Sequence, residues 1–192
     1  KKLETSTIED PQTQILNRRF FDFISAEEIR RAKRANNSLS IAIISIDAFD
    51  EYFEHYGQEK AVRCLRRVAK LLTKAAPRGG EYVMRFDDSR FVLLAPNIKT
   101  SEAIAFTTKM MDIVCSAQIE HFHTTVEEWE TVSISIGISE YKPGDLIGVE
   151  AMIDQALFAL KEAIENGGNC TKLFAMDFDN LDEDNYIDEV VE

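Results

Sequence analysis

The sequence predicts an α/β (α+β) domain in which helices pack against a mixed β-sheet. Helical and strand patterns alternate along 192 residues, which is enough chain for one domain with a sizeable core. An apolar run rich in Ile at 39–46 is typical of a buried strand. Two further apolar runs, at 82–84 and 91–94, flank a short polar turn and therefore predict a β-hairpin.

The other elements follow from the spacing of apolar side chains. Residues 20–35 carry apolar side chains at helical spacing among Glu and Arg, and Asn36 follows them. Further helices are predicted at 47–56, 59–76, 100–117 and 149–164, and further strands at 119–126, 131–139 and 172–174. The strands at 119–126 and 131–139 would form an extra β-hairpin, and we expect its histidines, His121 and His123, to be solvated.

Charge and cysteine content restrict the partners and the compartment. The net charge of -12 argues against nucleic acid as a partner. We expect a disordered acidic tail at 175–192, and its apolar side chains, among them Phe178 and Leu181, leave docking on the domain as the alternative. Three widely spaced cysteines favour a reduced, cytoplasmic setting.

Membrane contact by this fragment is not expected. Its apolar runs are much shorter than the roughly 20 residues that cross a bilayer. Because the first residue is Lys, we expect the sequence to be a piece of a longer protein. Membrane attachment of that parent protein stays open.

Five segments resemble, in order, the motifs of GGDEF domains. They are DPQTQILNRR at 10–19, SIDAFD at 45–50, YG at 56–57, VSISIG at 132–137 and ALFALK at 156–161. On these motifs, residues 10–174 are identified as a degenerate member of the GGDEF (diguanylate cyclase) domain family, with a linker at 1–9. The resemblance implies the palm-like nucleotide-cyclase fold, with a central five-stranded sheet. It also implies a homodimer that joins two GTP molecules into cyclic di-GMP.

The hairpin turn departs from the motif that names this family, Gly-Gly-Asp/Glu-Glu-Phe. Asp87 and Asp88 replace the two glycines, Ser89 replaces the third, acidic residue, and Arg90 replaces the Glu. The resemblance implies that Mg²⁺ is held by that acidic residue and by a carboxylate at position 45, which here is Ser45. A neutral hydroxyl is a poor substitute for an anionic ligand. We therefore expect no cofactor, and a loss of several orders of magnitude in cyclase rate.

Substrate recognition is also altered. Phe53 and Val62 stand where the resemblance implies the guanine-binding Asn and Asp. Apolar side chains leave the guanine edge without hydrogen-bond partners. Lys161 matches the phosphate-contacting lysine and is retained as a nucleotide-binding remnant.

Asp47 matches the second Asp of the family's Asp-Ile-Asp and has two readings. We favour a helix N-cap, for which Asp is well suited. The alternative joins Asp47 with Asp87 and Asp88 in a displaced Mg²⁺ site, and the domain is then an active diguanylate (nucleotide) cyclase.

Arg78 and Glu81 fall where the family has its product-inhibition motif, Arg-x-x-Asp. We favour a solvated Arg in a Pro-Arg-Gly-Gly turn. The alternative is residual cyclic di-GMP binding, because a guanidinium can clamp phosphate or guanine.

The sequence thus predicts a catalytically inactive GGDEF-like domain. It would act as a regulatory, dimerisation or nucleotide-sensing module in bacterial cyclic di-GMP-type signalling. The expected partners are other domains of the same chain, a second copy or another signalling protein, with a nucleotide or cyclic di-GMP as a weak ligand.

Overall fold

The computed structural model describes residues 8–76, 80–126 and 130–175. Its helices and strands are α1 (Arg18–Ala35), β1 (Leu39–Ile46), α2 (Phe49–Ala75), β2 (Tyr82–Arg85), β3 (Arg90–Pro96), α3 (Thr100–Cys115), β4 (Ile134–Tyr141), α4 (Val149–Glu165) and β5 (Thr171–Leu173). Within the described residues, the strands form one five-stranded sheet in the order β2-β3-β1-β4-β5. The β4–β5 pair is parallel and the others are antiparallel, so the predicted mixed sheet is confirmed.

Strand β1 lies between β3 and β4 and is covered by helices on both faces. Ala42, Ile44 and Ile46 join the core formed with α2 and α3. Ile41 and Ile43 join the core formed with α1 and α4. Because both faces are buried, every residue of this strand is apolar or small, as the Ile-rich run predicts.

Helix α2 combines the two helices predicted on either side of Gly57. Gly57 itself has a φ of 78° and a ψ of 168°, which is not helical. Glycine adopts positive φ without the steric cost that a Cβ imposes. The two helical segments are therefore continuous in the chain but change direction at this residue.

The extra hairpin predicted at 119–126 and 131–139 is much shorter than predicted among the described residues, because its two segments pair only next to Glu120 and Thr131. Among the described residues these segments share one bridge, between Glu120 and Thr131, and β4 begins only at Ile134. Successive side chains do not alternate between two faces, because Phe122 and the next residue, His123, are both exposed. The segment turns back on itself instead of continuing as a strand.

His121 is fully buried, so its predicted exposure is wrong. Its Nε2 lies 2.9 Å from the carbonyl oxygen of Ala48, and its ring meets Tyr52 edge-on. Its Nδ1 has no hydrogen-bond partner among the described residues. Burial lowers the pKa of His121 below its usual value, because the charged ring would lose its hydration.

The stability of the domain is expected to fall as the pH decreases from 7.5 to 5.5. The unfolded chain takes up a proton on His121 near pH 6.5, whereas the folded chain resists it, so acid favours unfolding. Protonation of this one group in the unfolded chain lowers the free energy of unfolding by up to about 1.4 kcal/mol at one pH unit below the unfolded pKa. Urea unfolding at the two pH values measures the difference.

His121→Gln should reduce that pH dependence, while the matched substitution of an exposed histidine, His123→Gln, should leave it in place. Equal pH dependence in the wild type and in His121→Gln would contradict the assignment.

No helix among the described residues combines the length and apolar character required to span a bilayer.

Candidate functional site

The carboxyl end of β1 and the β2–β3 turn meet at one end of the sheet. Ser45 is the register partner of Arg90 on β3 and of Ser135 on β4. Ser89 directly precedes Arg90, so this end of the sheet brings together the two positions at which the resemblance implies metal carboxylates. The Ser45 hydroxyl is half-buried and donates to the carbonyl oxygen of Ile46 at 3.3 Å.

Asp87 closes the turn by hydrogen bonds within it. Its Oδ1 accepts from the backbone N–H groups of Ser89 at 3.2 Å and Arg90 at 3.0 Å. Its Oδ2 accepts from Arg90 Nε at 2.7 Å and also pairs with Arg90 Nη2. Partial burial alone would raise the pKa of Asp87, but the side-chain and backbone hydrogen bonds from Arg90 and Ser89 lower it below its usual value. This carboxylate is therefore held as an anion by the turn itself.

Arg85, the last residue of β2, stabilises the turn by a hydrogen bond to its backbone. It is buried, and its Nη2 donates to the backbone carbonyl of Asp88 and to Gln12 Oε1 at 3.2 Å. Burial lowers the pKa of Arg85, and three carboxylates nearby oppose that shift. The side chain of Asp88 is exposed.

Two guanidinium groups lie near the buried ring of Phe86. The Cζ atoms of Arg18 and Arg90 are 4.1 Å and 5.6 Å from its centroid. Such placements are attractive because the ring face carries negative charge. The turn therefore carries a cation, Arg90, at a position where the resemblance implies a carboxylate.

Asp47 does not cap α2, so the favoured N-cap prediction is wrong. The residue before the helix is Ala48, in the left-handed conformation with a φ of 49° and with no side-chain cap. The carboxylate of Asp47 is buried, and it accepts from Ser133 Oγ at 2.7 Å, Ser135 Oγ at 2.6 Å and the backbone N–H of Asn169 at 3.0 Å. It joins β1 to β4 and to the segment that enters β5.

The carboxylates at 47, 87 and 88 do not form a common site. The described part of the chain contains no group of three or more His, Cys, Asp or Glu side chains placed to hold a metal ion. Asp47 and Asp87 are each engaged by the hydrogen bonds given above, which turn them toward protein donors.

The remaining predicted site residues are spread over the surface. Phe53 is 48% exposed on α2, and Lys161 is exposed on α4, where its Nζ lies 3.6 Å from Glu165. Glu81 is half-buried just before β2. Arg78 lies outside the described residues, as does the tail from residue 176 onward.

Ser133 and Ser135 are the site residues that sequence reasoning missed. Their signal is the period-two alternation of VSISIG, which places both hydroxyls on one face of the strand. What the pattern lacks is the partner, because Asp47 is 86 and 88 residues away in sequence.

This chain is similar in sequence to a known diguanylate cyclase. Diguanylate cyclase DosC of Escherichia coli (strain K12) is 26% identical over 165 residues, which make up 86% of this chain and 35% of DosC. The chain thus spans about a third of the length of this curated relative.

Two solved structures share the fold. The GGDEF domain of DgcB from Caulobacter crescentus, in complex with c-di-GMP, has a TM-score of 0.78 at 20% identity, over 90% of this chain and 98% of that one. Diguanylate cyclase SiaD of Pseudomonas aeruginosa, in complex with its activator SiaC, has a TM-score of 0.75 at 23% identity, over 88% and 62%.

The family assignment rests on nearly the whole described domain. The family model described as "Diguanylate cyclase, GGDEF domain" matches residues 7–170, which include the β2–β3 turn, Asp47 and all four helices. Sequence motifs, sheet order and family match agree, and the chain belongs to the GGDEF domain family.

Proposed function

We propose that this chain is a catalytically silent GGDEF domain that acts as a regulatory, dimerisation or nucleotide-sensing module in cyclic di-GMP-type signalling. The observation that carries the proposal is the end of the sheet, where Ser45 pairs in register with Arg90, next to Ser89. Two hydroxyls and a guanidinium lie at the end of the sheet where a Mg²⁺ site would need anionic oxygens.

The chemistry explains why this matters. Joining two nucleoside triphosphates is phosphoryl transfer, which depends on positioning and on divalent cations that neutralise developing charge. Mg²⁺ prefers carboxylate oxygens and tolerates little distortion of its octahedral shell. Ser45 and Ser89 offer neutral oxygens, and Arg90 adds a positive charge. The residues present do not fit a Mg²⁺ site of the family's design.

The alternative of a displaced metal site has little geometric support. Asp47 is buried and accepts three hydrogen bonds, and Asp87 accepts a hydrogen bond from Arg90. Asp88 is exposed. Recruiting all three to one cation would require breaking the contacts that tie β1 to β4 and that close the turn.

A regulatory role requires a partner or a ligand. The fold is shared with SiaD in complex with its activator and with a domain in complex with c-di-GMP, and both kinds of contact are proposed here for this chain. The candidate groups for an anionic ligand are Lys161 and Arg78.

Purified chain incubated with GTP and either Mg²⁺ or Mn²⁺ is expected to form no cyclic di-GMP, with a rate at least about 1000-fold below that of an active GGDEF domain. That factor corresponds to the loss of roughly 4 kcal/mol of metal stabilisation. Cyclic di-GMP is measured by chromatography. Clear conversion of GTP into cyclic di-GMP by the wild type would contradict the proposal.

The metal argument has its own test. The double variant Ser45→Asp/Ser89→Asp is expected to gain Mn²⁺ binding, measured by electron paramagnetic resonance, whereas the wild type should bind none at this site. A matched control places the same charges on two exposed serines, Ser101→Asp/Ser116→Asp. Equal Mn²⁺ binding by both double variants would show that net charge, and not the position of the carboxylates, is responsible.

A further inference from the structure

A groove of about 540 Å³ lies between α2 and residues 118–120, which follow α3. Three cationic side chains of α2 line it, those of Lys60, Arg63 and Arg67. Among the described residues that line this groove, none stands at a position where the resemblance implies a contact with metal, guanine or phosphate. The groove is therefore a different site from the altered end of the sheet.

The three cations form a row along one side of α2. Lys60, Arg63 and Arg67 are spaced by three and four residues, and side chains at that spacing share a helical face. Because a helix rises about 1.5 Å per residue, the row is roughly 10 Å long. A row of positive charge of this length suits an elongated anion better than a single small one.

Contacts within the protein leave most of the charge of this row available. Arg67 Nη2 donates to the carbonyl oxygen of Ala117 at 2.8 Å, which orients the guanidinium and uses one of its five N–H donors. Within the described part of the chain, the one ion pair of these three cations joins Arg63 to Glu59 at 3.5 Å. Both side chains of that pair are mostly exposed, and exposed pairs are weak.

Two tyrosines contribute to the wall of the groove. Tyr52 is buried and Tyr56 is half-buried, and their ring centroids are 4.6 Å apart. Lys60 Nζ lies 5.1 Å from the centroid of the Tyr56 ring, and this attraction holds the ammonium group beside the groove. The Tyr56 hydroxyl accepts from the N–H of Phe122 at 3.0 Å, so its own proton stays available for a ligand.

Little negative charge opposes the three cations. Burial raises the pKa of the Cys64 thiol and that of the Tyr52 hydroxyl to about 12, so both groups are neutral at physiological pH. Glu120, which is exposed, is the one carboxylate among the described residues that line the groove. Three positive charges against one negative charge form a local excess of positive charge in a chain whose net charge is -12.

We propose that this groove binds an oligophosphate anion, either free or as the phosphate chain of a nucleotide. Guanidinium groups bind phosphate oxygens through paired N–H donors, and an ammonium group binds them as a point charge. Phosphate is favoured over an acidic peptide because an oligophosphate concentrates more negative charge within the length of the row. The site does not depend on the proposed loss of cyclase activity, which concerns residues at the end of the sheet.

Isothermal titration calorimetry of the full 192-residue chain with inorganic tripolyphosphate, without divalent cations, tests the proposal. Lys60→Gln/Arg63→Gln removes two exposed charges from the row and should weaken binding at least about tenfold. The matched control, Arg30→Gln/Arg34→Gln, removes the same charge from exposed positions of α1 and should change affinity by less than about twofold. Absence of binding by the wild type, or equal weakening in both double variants, would overturn the proposal.

A change of opposite sign provides a second variant. Glu120→Gln removes the carboxylate from the lining and should tighten tripolyphosphate binding by roughly threefold, because one repulsive charge is lost. Circular dichroism checks that each variant is folded. Weaker binding in a folded Glu120→Gln variant would contradict the placement of the anion in this groove.

The source of the phosphate is distinguished by titration with GTP under the same conditions. GTP binding that is tighter than tripolyphosphate binding, and that weakens in Lys60→Gln/Arg63→Gln, would identify a nucleotide as the ligand. Equal or weaker binding of GTP would identify the free anion, and both results agree with the proposal. A tetraglutamate peptide that binds as tightly as tripolyphosphate would contradict the assignment to phosphate.

Discussion

Replacing Asp47 with alanine is expected to lower the free energy of unfolding by roughly 3 kcal/mol. The buried carboxylate accepts hydrogen bonds from Ser133, Ser135 and Asn169. Its removal leaves three donors with no acceptor, and a hydrogen bond to a charged group contributes about 1.5–3 kcal/mol net of exchange with water. The substitution also removes the desolvation penalty of the buried carboxylate, which offsets part of that sum. A domain of this kind has roughly 5–15 kcal/mol of stability in total, so the loss is a large share of it.

Urea unfolding followed by circular dichroism measures this change. The matched control is Asp154→Ala, which removes an exposed carboxylate on α4 and should cost less than about 0.5 kcal/mol. Asp47→Asn keeps one acceptor oxygen and should fall between the two. A loss below about 1 kcal/mol for Asp47→Ala would mean that the carboxylate does not hold the three segments together.

The role of Asp47 separates the requirements of the fold from those of the chemistry. Asp47 ties the end of β1 to β4 and to the entry of β5, whereas Ser45, two residues earlier, is turned to its own strand. A chain can therefore keep the tie that Asp47 makes between the strands without keeping a carboxylate at position 45. That separation explains how the sequence retains the fold while its hairpin turn carries Asp87 and Arg90.

The strands predicted correctly from sequence are those whose burial on both faces produces a continuous stretch of apolar and small residues. β1 was predicted at 39–46, the range observed, because both of its faces are covered and every position is apolar or small. The hairpin of β2 and β3 followed from two apolar runs around a polar turn. In each case the local pattern and the tertiary contacts impose the same structure.

The wrong predictions concern residues whose partners are distant in sequence. His121 is held by Ala48, 73 residues earlier, and that contact overrides the strand-like composition of its segment. Asp47 has the local pattern of an N-cap, but its hydroxyl partners come from the start of β4 and from the residue just before it. Nothing within a few residues of either position carries this information, so only the assembled sheet reveals it.

Replacing Gly137 with alanine is expected to destabilise the domain by about 3 kcal/mol or more. α4 packs directly on β4 at this residue, and an added Cβ would lie 2.1 Å from the carbonyl oxygen of Ala156 and 2.2 Å from the backbone nitrogen of Leu160. Both atoms belong to the helix backbone, so no side-chain rotation relieves the clash. Overpacking costs typically 1–3 kcal/mol, and a clash with backbone lies at the upper end.

The helix must move away from the sheet to accept the new methyl group, and Ala156 and Leu160 then lose core contacts. Gly148→Ala is the matched control, because its Cβ would meet only the flexible Glu150 side chain at 3.4 Å, and it should cost less than about 1 kcal/mol. Thermal and urea unfolding compare the two variants with the wild type. Wild-type stability in Gly137→Ala would mean that α4 is not seated on this glycine, and the final residue of the VSISIG motif would need another explanation.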